Sequence, residues 1–465
     1  MARTDDLLVS RSPFDGSVVG EFALTPLADV PARLDRAEDG FRAMAGLSRH
    51  RRAAILRDAA DRIEQDAEGL APLIAREVGK PIAQARGEVR RAAHTLRLCA
   101  AEATTLGGEE LPFDSFPGKE GLRGYFRYRP LGTVLAITPY NDPLNLIAHK
   151  IGPAVAVGNG VLLKPSEQAP AVARRLVDHV HAAGCPPNAL QLVVGSGDIA
   201  AAFVAAETVR MVSFTGGERT AQEIVRRGGL KRYAMDLGGV APVIVCGDAD
   251  IERAAQACVA GGFWANGQNC IGVQRVFVDR RIADRFADAL VERSRALVVG
   301  DPLDPSVDVG PMIGETQAAF VEALWTEARQ AGGRIACGGR REGNRVVPTV
   351  ILDAGTDCAL AREEAFGPIL AVDRVDTLNE AIARANATRS SMQAGIFTTC
   401  VEAAWHALDR IEASGVFVNE TSDVRLDSMP FGGFKYGSVG REGIAFAMRE
   451  MSNTQVVGFA LASPG

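Results

Sequence analysis

Short apolar runs that alternate with amphipathic helices constrain the fold of this chain more than any other feature of its sequence. One series begins at GTVLAITP (132–139) and continues through GVLLKPS, LQLVVG and MVSFTGG, with helical patterns such as APAVARRLVDHVHAAG between the runs. A second series begins at APVIVCG (241–247) and reaches GVFVN near Val416. Strands separated by helices form parallel sheets with helices on both faces. The chain is therefore predicted to be an α/β protein with two domains and a ligand cleft between them.

The length supports this division, since 465 residues exceed what one compact core usually holds. Before the first series, the first hundred residues are expected to be helical. In the stretch GEVRRAAHTLRLCAAEA, apolar residues recur at helical spacing and predict one buried face, formed by Val89, Ala93, Leu96 and Ala100.

The net charge of −6 argues against a nucleic-acid-binding protein, which needs a basic face. The segment RGYFRYR (123–129) could mimic a basic-aromatic patch, but its alternation of large and charged residues favours a strand. The longest apolar stretch, 134–163, is interrupted by prolines and charged residues, so no membrane span is predicted.

Cysteine and histidine usage points to an ordinary reducing environment. The eight cysteines are scattered without a C-x-x-C motif, and the six histidines form no H-E-x-x-H motif, so no metal site is expected. The acidic start MARTDDLLVS has no apolar region typical of a signal peptide. A cytoplasmic protein is therefore predicted.

Two glycine-rich turns compete as the phosphate-binding loop of a dinucleotide site. GSGDIA (195–200) follows a strand-like run and approximates G-x-G-x-x-G, although its last position is Ala200. FTGG contains Gly216 and Gly217 between a strand and a helix, whose free N–H groups could hold a pyrophosphate. The residues alone leave both alternatives open, and either could be an ordinary turn.

Six short motifs occur in one order along the chain. They are ITPYNDPL with Asn141, LLKPSE with Lys164 and Glu167, AMDLGG with Asp236, GQNC with Cys270, EEAFGP with Glu364 and Phe366, and PFGGFKYGSVGREG with Lys435 and Glu442. Together they resemble the aldehyde dehydrogenase superfamily over nearly the whole chain. A lone cysteine is most often a core residue. The resemblance is what identifies Cys270 as the candidate nucleophile.

The resemblance implies a reaction at Cys270. A thiolate suits attack on an aldehyde carbon, and the resulting alkoxide needs a preorganised donor. The Asn141 amide and the Cys270 N–H are expected to form this oxyanion hole. Hydride transfer to a nicotinamide leaves a thioester, which water must hydrolyse with the help of a carboxylate base.

The resemblance also assigns the cofactor contacts. It places the pyrophosphate at the turn containing Gly216 and Gly217, so GSGDIA becomes a structural turn. Lys164 and Glu167 match positions that bind the adenosine ribose. Because the Glu167 carboxylate would repel a 2′-phosphate, NAD is the expected cofactor, with NADP as the alternative.

Two further cofactor contacts are implied, Glu364 on the nicotinamide ribose and Phe366 beside the nicotinamide ring. Without the resemblance, Glu364 would be read as a surface residue and Phe366 as a core aromatic.

Asp236 is the main departure from the family pattern, which usually has glutamate at this position. Its shorter side chain would move a general base out of place. Three alternatives follow: Asp236 acts through an adjusted geometry, Glu442 takes over as the base, or coenzyme A accepts the acyl group as in the acylating branch.

Two residues are candidates for substrate binding. Tyr140 replaces the tryptophan usual before Asn141, and Arg425 lies just before the loop that lines the family's substrate tunnel. Its guanidinium could bind an acid group, or it could pair with Asp423 or Asp427. The motifs look most like the branch of lactaldehyde, phosphonoacetaldehyde and non-phosphorylating glyceraldehyde-3-phosphate dehydrogenases. A small, anionic aldehyde is the expected substrate.

The expected architecture is a Rossmann-like NAD(P)-binding domain, a second α/β catalytic domain and a small β oligomerisation element. Their expected ranges are 1–108 with 132–238, 239–436, and 109–131 with 437–465. The last element would join a hairpin near 109–131 to the strand TQVVGF and assemble a homodimer or homotetramer. An inactive relative of the fold and a cysteine hydrolase remain alternatives, although no histidine base is expected near the motifs.

Overall fold

The computed structural model describes residues 3–4 and 7–460. It begins with a small antiparallel sheet of three strands: β1 (Arg3–Thr4), β2 (Leu7–Arg11) and β3 (Val18–Ala23). Gly16 N–H closes the turn before β3 by donating to the Ser12 carbonyl at 2.9 Å. The expectation of an entirely helical first hundred residues is therefore wrong for this segment, because an Asp-Gly turn between β-branched residues favours a hairpin.

Four helices follow; the first packs on one face of the first parallel sheet, and the other three belong to the core on its opposite face. They are α1 (Val30–Gly46), α2 (Arg49–Gln65), α3 (Ala67–Val78) and α4 (Ile82–Thr105). The face predicted for α4 is confirmed, because Val89, Ala93, Leu96 and Ala100 have no exposed surface. Burying a side chain such as Leu96 stabilises the fold by roughly 1.5–3 kcal/mol.

The first series of apolar runs forms a six-stranded sheet with the order β21-β9-β8-β5-β6-β7. Its elements are β5 (Thr133–Ile137), α5 (Asn145–Val157), β6 (Gly160–Lys164), α6 (Pro170–Ala182), β7 (Leu190–Leu192), α7 (Gly197–Ala205), β8 (Val209–Thr215), α8 (Glu218–Gly228), β9 (Arg232–Asp236) and β21 (Ser438–Val439). All pairs are parallel except β21 with β9.

Helices cover both faces of this sheet, as predicted. Val134 and Val161 pack with α5 and α6, whereas Leu135 and Leu162 pack with α7 and α8. Adjacent strand residues point to opposite faces, so runs buried on both sides become continuously apolar.

The second series forms a seven-stranded sheet with the order β12-β15-β16-β11-β10-β18-β19. Its elements are β10 (Pro242–Val245), α9 (Ile251–Phe263), β11 (Arg275–Asp279), α10 (Ala283–Arg295), α11 (Glu315–Gln330), β12 (Arg334–Cys337), β15 (Thr349–Leu352), β16 (Ile369–Val375), α12 (Leu378–Asn386), β18 (Gln393–Phe397), α13 (Val401–Leu408) and β19 (Gly415–Val418). Only β12 is antiparallel to its neighbour. The architecture is thus α/β in both halves.

The remaining strands are short or lie at the periphery. They are β4 (Leu122–Pro130), β13 (Arg341–Glu342), β14 (Arg345–Val346), β17 (Ser390–Ser391), β20 (Phe434–Lys435) and β22 (Ser452–Ala460), and one more helix, α14 (Ile444–Glu450), precedes β22.

RGYFRYR forms β4, as predicted, and β4 pairs with β22 along its whole length in a two-stranded antiparallel ribbon. The segment 437–450 contacts the first sheet through β21 and α14.

One cleft lies between the carboxyl ends of strands in the first sheet and a loop that leads into the second sheet. The turns after β5, β8 and β9 leave the carboxyl edge of the first sheet, where parallel α/β sheets bind ligands. The loop that carries Cys270 enters the same cleft just before β11. Among the described residues, no helix combines the length and the apolar character that a membrane crossing requires.

Candidate active site

Two cavities meet at Cys270 and Asn141. The larger cavity, of about 470 Å³, is lined by α4, by residues after β5 and by the loop of Asp423 and Arg425. The smaller, of about 230 Å³, is lined by the turns after β5, β8 and β9 and by Glu364 and Phe366. Cys270 and Asn141 line both. A reacting group between them would therefore be reached from two sides.

The loop before Cys270 has an unusual backbone. Ala265, Asn266 and Gly267 have φ angles of 50°, 61° and 71°, in the left-handed region that costs most residues energy. At Gly267 an added Cβ would lie 2.2 Å from the Gly367 carbonyl oxygen, so only glycine fits. The strained loop needs support from other segments.

Asn266 supplies that support. Its Nδ2 donates to the carbonyls of Gly79 and Pro311, both at 2.9 Å, and its Oδ1 accepts from Gly310 N–H at 2.7 Å. Gln268 Oε1 accepts from Ile313 N–H at 3.0 Å. The sequence analysis missed Asn266, although an Asn-Gly pair is typical of left-handed backbone.

The Cys270 thiol faces a carboxylate. Its Sγ donates to Asp236 Oδ2 at 3.6 Å. Burial and the Asp236 charge raise the pKa of the Cys270 thiol well above its usual value. The resting pair is therefore a neutral thiol beside a carboxylate that can accept its proton.

Asp236 ends β9, where pairing with Ser438 of β21 holds the backbone. Burial and the Glu442 charge raise the pKa of Asp236 to about 6, although Arg425 and Lys150 lower it. A carboxylate with this pKa is ionised near neutral pH and basic enough for proton transfer. The shorter side chain reaches the sulfur, so the expected loss of reach does not occur.

Glu442 has a different environment. Lys150 Nζ lies 2.8 Å from its Oε1, and Arg425 Nη2 lies 2.9 Å from its Oε2. Burial raises the pKa of Glu442, but the two positive charges outweigh burial and hold it well below the usual range. Glu442 is therefore a poor proton acceptor, which disfavours it as the alternative base.

Arg425 lines the larger cavity beside Cys270. Its ion-pair partner is Glu442, so the alternative pairing with Asp423 or Asp427 is wrong. The guanidinium also stacks 3.7 Å over the Phe431 ring. Its Nη1 makes no hydrogen bond to any described residue and remains available for an anion.

Two hydrogen-bond donors beside the Cys270 sulfur also lack a protein acceptor. Within residues 7–460, neither the Asn141 amide nitrogen nor the Cys270 backbone N–H donates to a protein acceptor, and Asn141 Oδ1 is buried without a partner. Both groups belong to the residues shared by the two cavities. They can form the predicted oxyanion hole.

The smaller cavity brings together four of the predicted cofactor contacts: Gly216, Gly217, Glu364 and Phe366. It also contains Tyr140, which was expected on the substrate side. Tyr140 and Phe366 meet edge to face, with ring centroids 6.0 Å apart. The Tyr140 hydroxyl donates to Gln268 Oε1 at 3.4 Å.

Unpartnered polar groups in this cavity fit the nicotinamide end of NAD(P). Glu364 Oε1 and Thr215 Oγ1 are buried without a hydrogen-bond partner. Burial and Asp236 raise the pKa of Glu364 to about 8, so its carboxyl can donate to a ribose hydroxyl as well as accept. Gly238, at φ +80°, leaves room for this carboxyl, because an added Cβ would lie 2.6 Å from its oxygens.

The phosphate and adenosine contacts lie along the same sheet edge. Gly217 caps the eleven-residue helix α8, whose first N–H groups lack helical partners. Lys164 ends β6 and is buried, and burial lowers the pKa of its ammonium group, although the nearby Glu167 charge opposes this effect. Neither Lys164 nor Glu167 lines the two cavities. GSGDIA is a turn that leads into α7 and contributes to neither cavity.

A charged network below the larger cavity was not predicted. Arg91 joins Asp142 at 3.4 Å and Asp427 at 3.0 Å, and His149 Nε2 lies 3.0 Å from Asp427. His149 thus contacts Asp427, three residues before the motif PFGGFKYGSVGREG, contrary to the expectation that no histidine lies near the motifs. Burial and the Arg425 charge lower its pKa, so the imidazole is neutral. Its hydrogen bond goes to Asp427 and not to the thiol.

Comparisons with known proteins follow the same pattern. The model of the aldehyde dehydrogenase family matches residues 2–457. The chain is 49% identical over 446 residues to aspartate-semialdehyde dehydrogenase 1 of Pseudomonas canavaninivorans, covering 96% of this chain and 95% of that protein.

Two solved structures share the fold over nearly their full lengths. Aldehyde dehydrogenase 21 from Physcomitrella patens, in complex with the reaction product succinate, gives a TM-score of 0.96 at 33% identity and covers 100% of this chain and 97% of that one. Glyceraldehyde-3-phosphate dehydrogenase GapN from Methanocaldococcus jannaschii, complexed with NADP, gives 0.94 at 35% identity, covering 99% and 100%.

Proposed function

The chain belongs to the aldehyde dehydrogenase family and oxidises aldehydes with NAD(P), and from this premise we propose that its substrate is a small aldehyde with an acid group and that Cys270 is its nucleophile. One observation carries the proposal: Cys270 and Asn141 are the residues that two cavities share. The smaller cavity would hold the nicotinamide and the larger the aldehyde, so the carbonyl carbon would lie between the thiol and the cofactor.

The first step needs a proton acceptor. The raised pKa of Cys270 leaves little free thiolate, so the S–C bond forms as the thiol proton passes to Asp236 Oδ2, which lies 3.6 Å away. The carbonyl oxygen becomes an alkoxide. The Asn141 amide and the Cys270 N–H stabilise this negative charge.

The alkoxide then re-forms a carbonyl group, giving a thioester on Cys270, as the C–H bond breaks and the hydrogen leaves with the bonding electron pair as hydride. Bound NAD(P)⁺ supplies the hydride acceptor for this step. Gly216, Gly217, Glu364 and Phe366 are the residues that would hold the cofactor, as its cavity suggests.

Hydrolysis completes the reaction. After its proton has left for solvent, Asp236 can take one from a water molecule that attacks the thioester carbonyl. The acid is released and the Cys270 thiol is restored. Because Glu442 is already held by Lys150 and Arg425, we assign the base role to Asp236.

The acid group of the substrate would bind Arg425, whose Nη1 is unengaged in the larger cavity. Arg91 lines the same cavity and adds a second positive charge. The 49% identical relative is named for aspartate semialdehyde, and a structural relative holds succinate as its product. Both are small carboxylic acids, and a cavity of about 470 Å³ suits a substrate of that size.

NAD is proposed as the preferred cofactor, because Glu167 would accept a hydrogen bond from a ribose hydroxyl and repel a 2′-phosphate.

We also propose three domains: the NAD(P)-binding domain at 1–108 with 132–238, the catalytic domain at 239–436, and the oligomerisation element at 109–131 with 437–465.

Oligomerisation is proposed through the β4–β22 ribbon. It exposes Val456 (61%) and Phe459 (54%), which a partner subunit would cover. A homodimer or homotetramer in the cytoplasm follows, where the chain's free cysteines stay reduced.

An acylating reaction with coenzyme A is the second candidate. The position of Asp236 beside the sulfur favours hydrolysis, because an acylating enzyme needs no base for water.

The test is reduction of NAD and NADP by purified protein with small acidic and neutral aldehydes, with and without coenzyme A. We expect the fastest reduction with acidic aldehydes and NAD, independent of coenzyme A. Absence of cofactor reduction with every acidic aldehyde would contradict the proposal.

A further inference from the structure

Asp423 differs from the other acidic residues that line the larger cavity. Glu88 lies 2.5 Å from Lys80 Nζ, and Asp142 also contacts Lys80. Asp423 has no ion pair with any described residue, although it lines the cavity together with Cys270. The cavity therefore contains one carboxylate that forms no ion pair with a cation of residues 7–460.

The orientation of Asp423 leaves one oxygen available. Its Oδ1 accepts from Asn269 Nδ2 at 2.7 Å, and Asn269 directly precedes Cys270. Its Oδ2 accepts no hydrogen bond within the described chain and is not enclosed. Asn269 thus holds the carboxylate in place beside the nucleophile and leaves its second oxygen facing the cavity.

The surroundings of Asp423 favour a cationic ligand. The pKa of Asp423 is raised to about 7, chiefly by burial and also by the charges of Asp142 and Glu420, although the Asn269 hydrogen bond and the Arg91 charge lower it. A bound cation would offset the cost of the buried charge. The cavity offers no cation of its own within ion-pair distance.

Arg425 provides the opposite charge in the same cavity, with its Nη1 unengaged. An aldehyde that carries only an acid group would form an ion pair with Arg425. Asp423 would stay unpaired and would repel the acid group. An aldehyde with an acid group and an ammonium group would satisfy both.

We infer that the substrate is a zwitterionic aldehyde of the amino-acid type, in which Asp423 binds the ammonium group while Arg425 binds the acid group. Asp423 is thereby a specificity-determining residue, and Asn269 is the positioning residue that holds it. This inference rests on the proposed oxidation of acidic aldehydes at Cys270.

Two substrates test it directly. L-Aspartate 4-semialdehyde and 4-oxobutanoate differ only by the ammonium group next to the carboxylate. Because a charge-assisted hydrogen bond adds about tenfold or more to binding, wild-type kcat/KM should be at least about tenfold higher for the aminated aldehyde. In the isosteric variant Asp423→Asn the ratio should fall to near one, through a higher KM for the aminated substrate.

The variant should show an equal or lower KM for 4-oxobutanoate, because it removes the charge that repels the acid group and Asn269 can still be hydrogen-bonded. Equal losses on both substrates would show that Asp423 only supports the loop, and would overturn the inference. A wild-type ratio at or below one would overturn it as well.

Wild-type protein alone gives an independent measurement. The KM for the aminated aldehyde should fall as pH rises through about 7, where Asp423 ionises, while the KM for 4-oxobutanoate should not fall. Parallel KM profiles would contradict the inference. If no acidic aldehyde reduces NAD(P), the proposed function itself fails; if 4-oxobutanoate is oxidised without preference for the aminated aldehyde, only this inference fails.

Discussion

Cys270 Sγ and Asp236 Oδ2 lie 3.6 Å apart, with the thiol as the donor. The aspartate is one methylene shorter than the glutamate usual in the family, yet it contacts the sulfur because β9 ends directly beside the nucleophile loop. Attack and hydrolysis both need a proton acceptor at this place. One carboxylate can therefore serve in both steps.

Replacing the nucleophile should stop the reaction. In Cys270→Ser, the hydroxyl is far less ionised than a thiol, so aldehyde-dependent NADH formation should fall by about a thousandfold or more. NAD binding and thermal unfolding should remain unchanged. Cys400→Ser, at an exposed cysteine, is the matched control and should retain full activity. Aldehyde oxidation above about a thousandth of wild type in Cys270→Ser would contradict the assignment.

Removing the proposed base should slow acylation as well as hydrolysis. Asp236→Asn leaves Cys270 and Asn141 in place but removes the acceptor of the thiol proton. Rapid mixing should show a slower first turnover without a burst of NADH, and the steady rate should be lower by roughly two or more orders of magnitude.

Glu442→Gln serves as the comparison for Asp236→Asn. If Glu442 is not the base, its variant should show no burst, although loss of the Lys150 and Arg425 ion pairs should lower stability. A burst that appears only in Glu442→Gln would reverse the assignment. Recovery of steady turnover in both variants on adding coenzyme A would favour the acylating alternative.

The pH profile should report the ionisation of Asp236. Its folded-state pKa is raised to about 6, so the carboxyl is protonated and unable to accept a proton below that pH. We expect kcat/KM to fall by about tenfold per pH unit below about 6 and to level off above it. The measurement should use 4-oxobutanoate, which does not need Asp423. A profile that stays flat down to pH 5 would rule out Asp236 as the essential base.

Cofactor preference should depend on Glu167. In Glu167→Ala, loss of a hydroxyl acceptor and of a repulsive charge should narrow the ratio of NAD to NADP efficiency by about tenfold or more. Gln168→Ala, one residue further, is the matched control and should leave the ratio unchanged. A wild-type enzyme that prefers NADP would show that Glu167 does not have this role.

Asn266 should be needed for the shape of the nucleophile loop. Asn266→Ala removes three buried hydrogen bonds and places alanine in left-handed backbone, which should lower the free energy of unfolding by about 3–5 kcal/mol. Activity should fall even at temperatures where the variant is folded. Asn188→Ala, at an exposed asparagine, is the control. Chemical denaturation measures the difference, and a loss below about 1 kcal/mol would contradict this role.

Structural features that depend on a short stretch of sequence could be predicted. Alternating apolar runs predicted both parallel sheets, and the order of the motifs selected Cys270, Asn141 and Glu364, which line the two adjoining cavities. The short hairpin strands β2 and β3 were missed, because they lack the continuous apolar runs that marked the fully buried parallel strands, and β3 is largely exposed.

Contacts between distant segments could not be predicted. Arg91 pairs with Asp427, 336 residues away, and Asn269 contacts Asp423 across 154 residues. Periodicity describes one element at a time and says nothing about which loops meet. For the same reason Arg425 was assigned neighbours in sequence as ion-pair partners, whereas its partner in space is Glu442.

The hydrogen bonds of Asn266 also determine when, during protein synthesis, the loop before Cys270 can form. They join the nucleophile loop to Gly79, which the ribosome has made long before, and to Gly310 and Pro311, which it makes only after Cys270. Until Pro311 has left the ribosome, the left-handed turn before Cys270 lacks its support. A nascent or truncated chain that ends before Gly310 therefore carries Cys270 without the loop geometry of the proposed active site, which can form only late in translation.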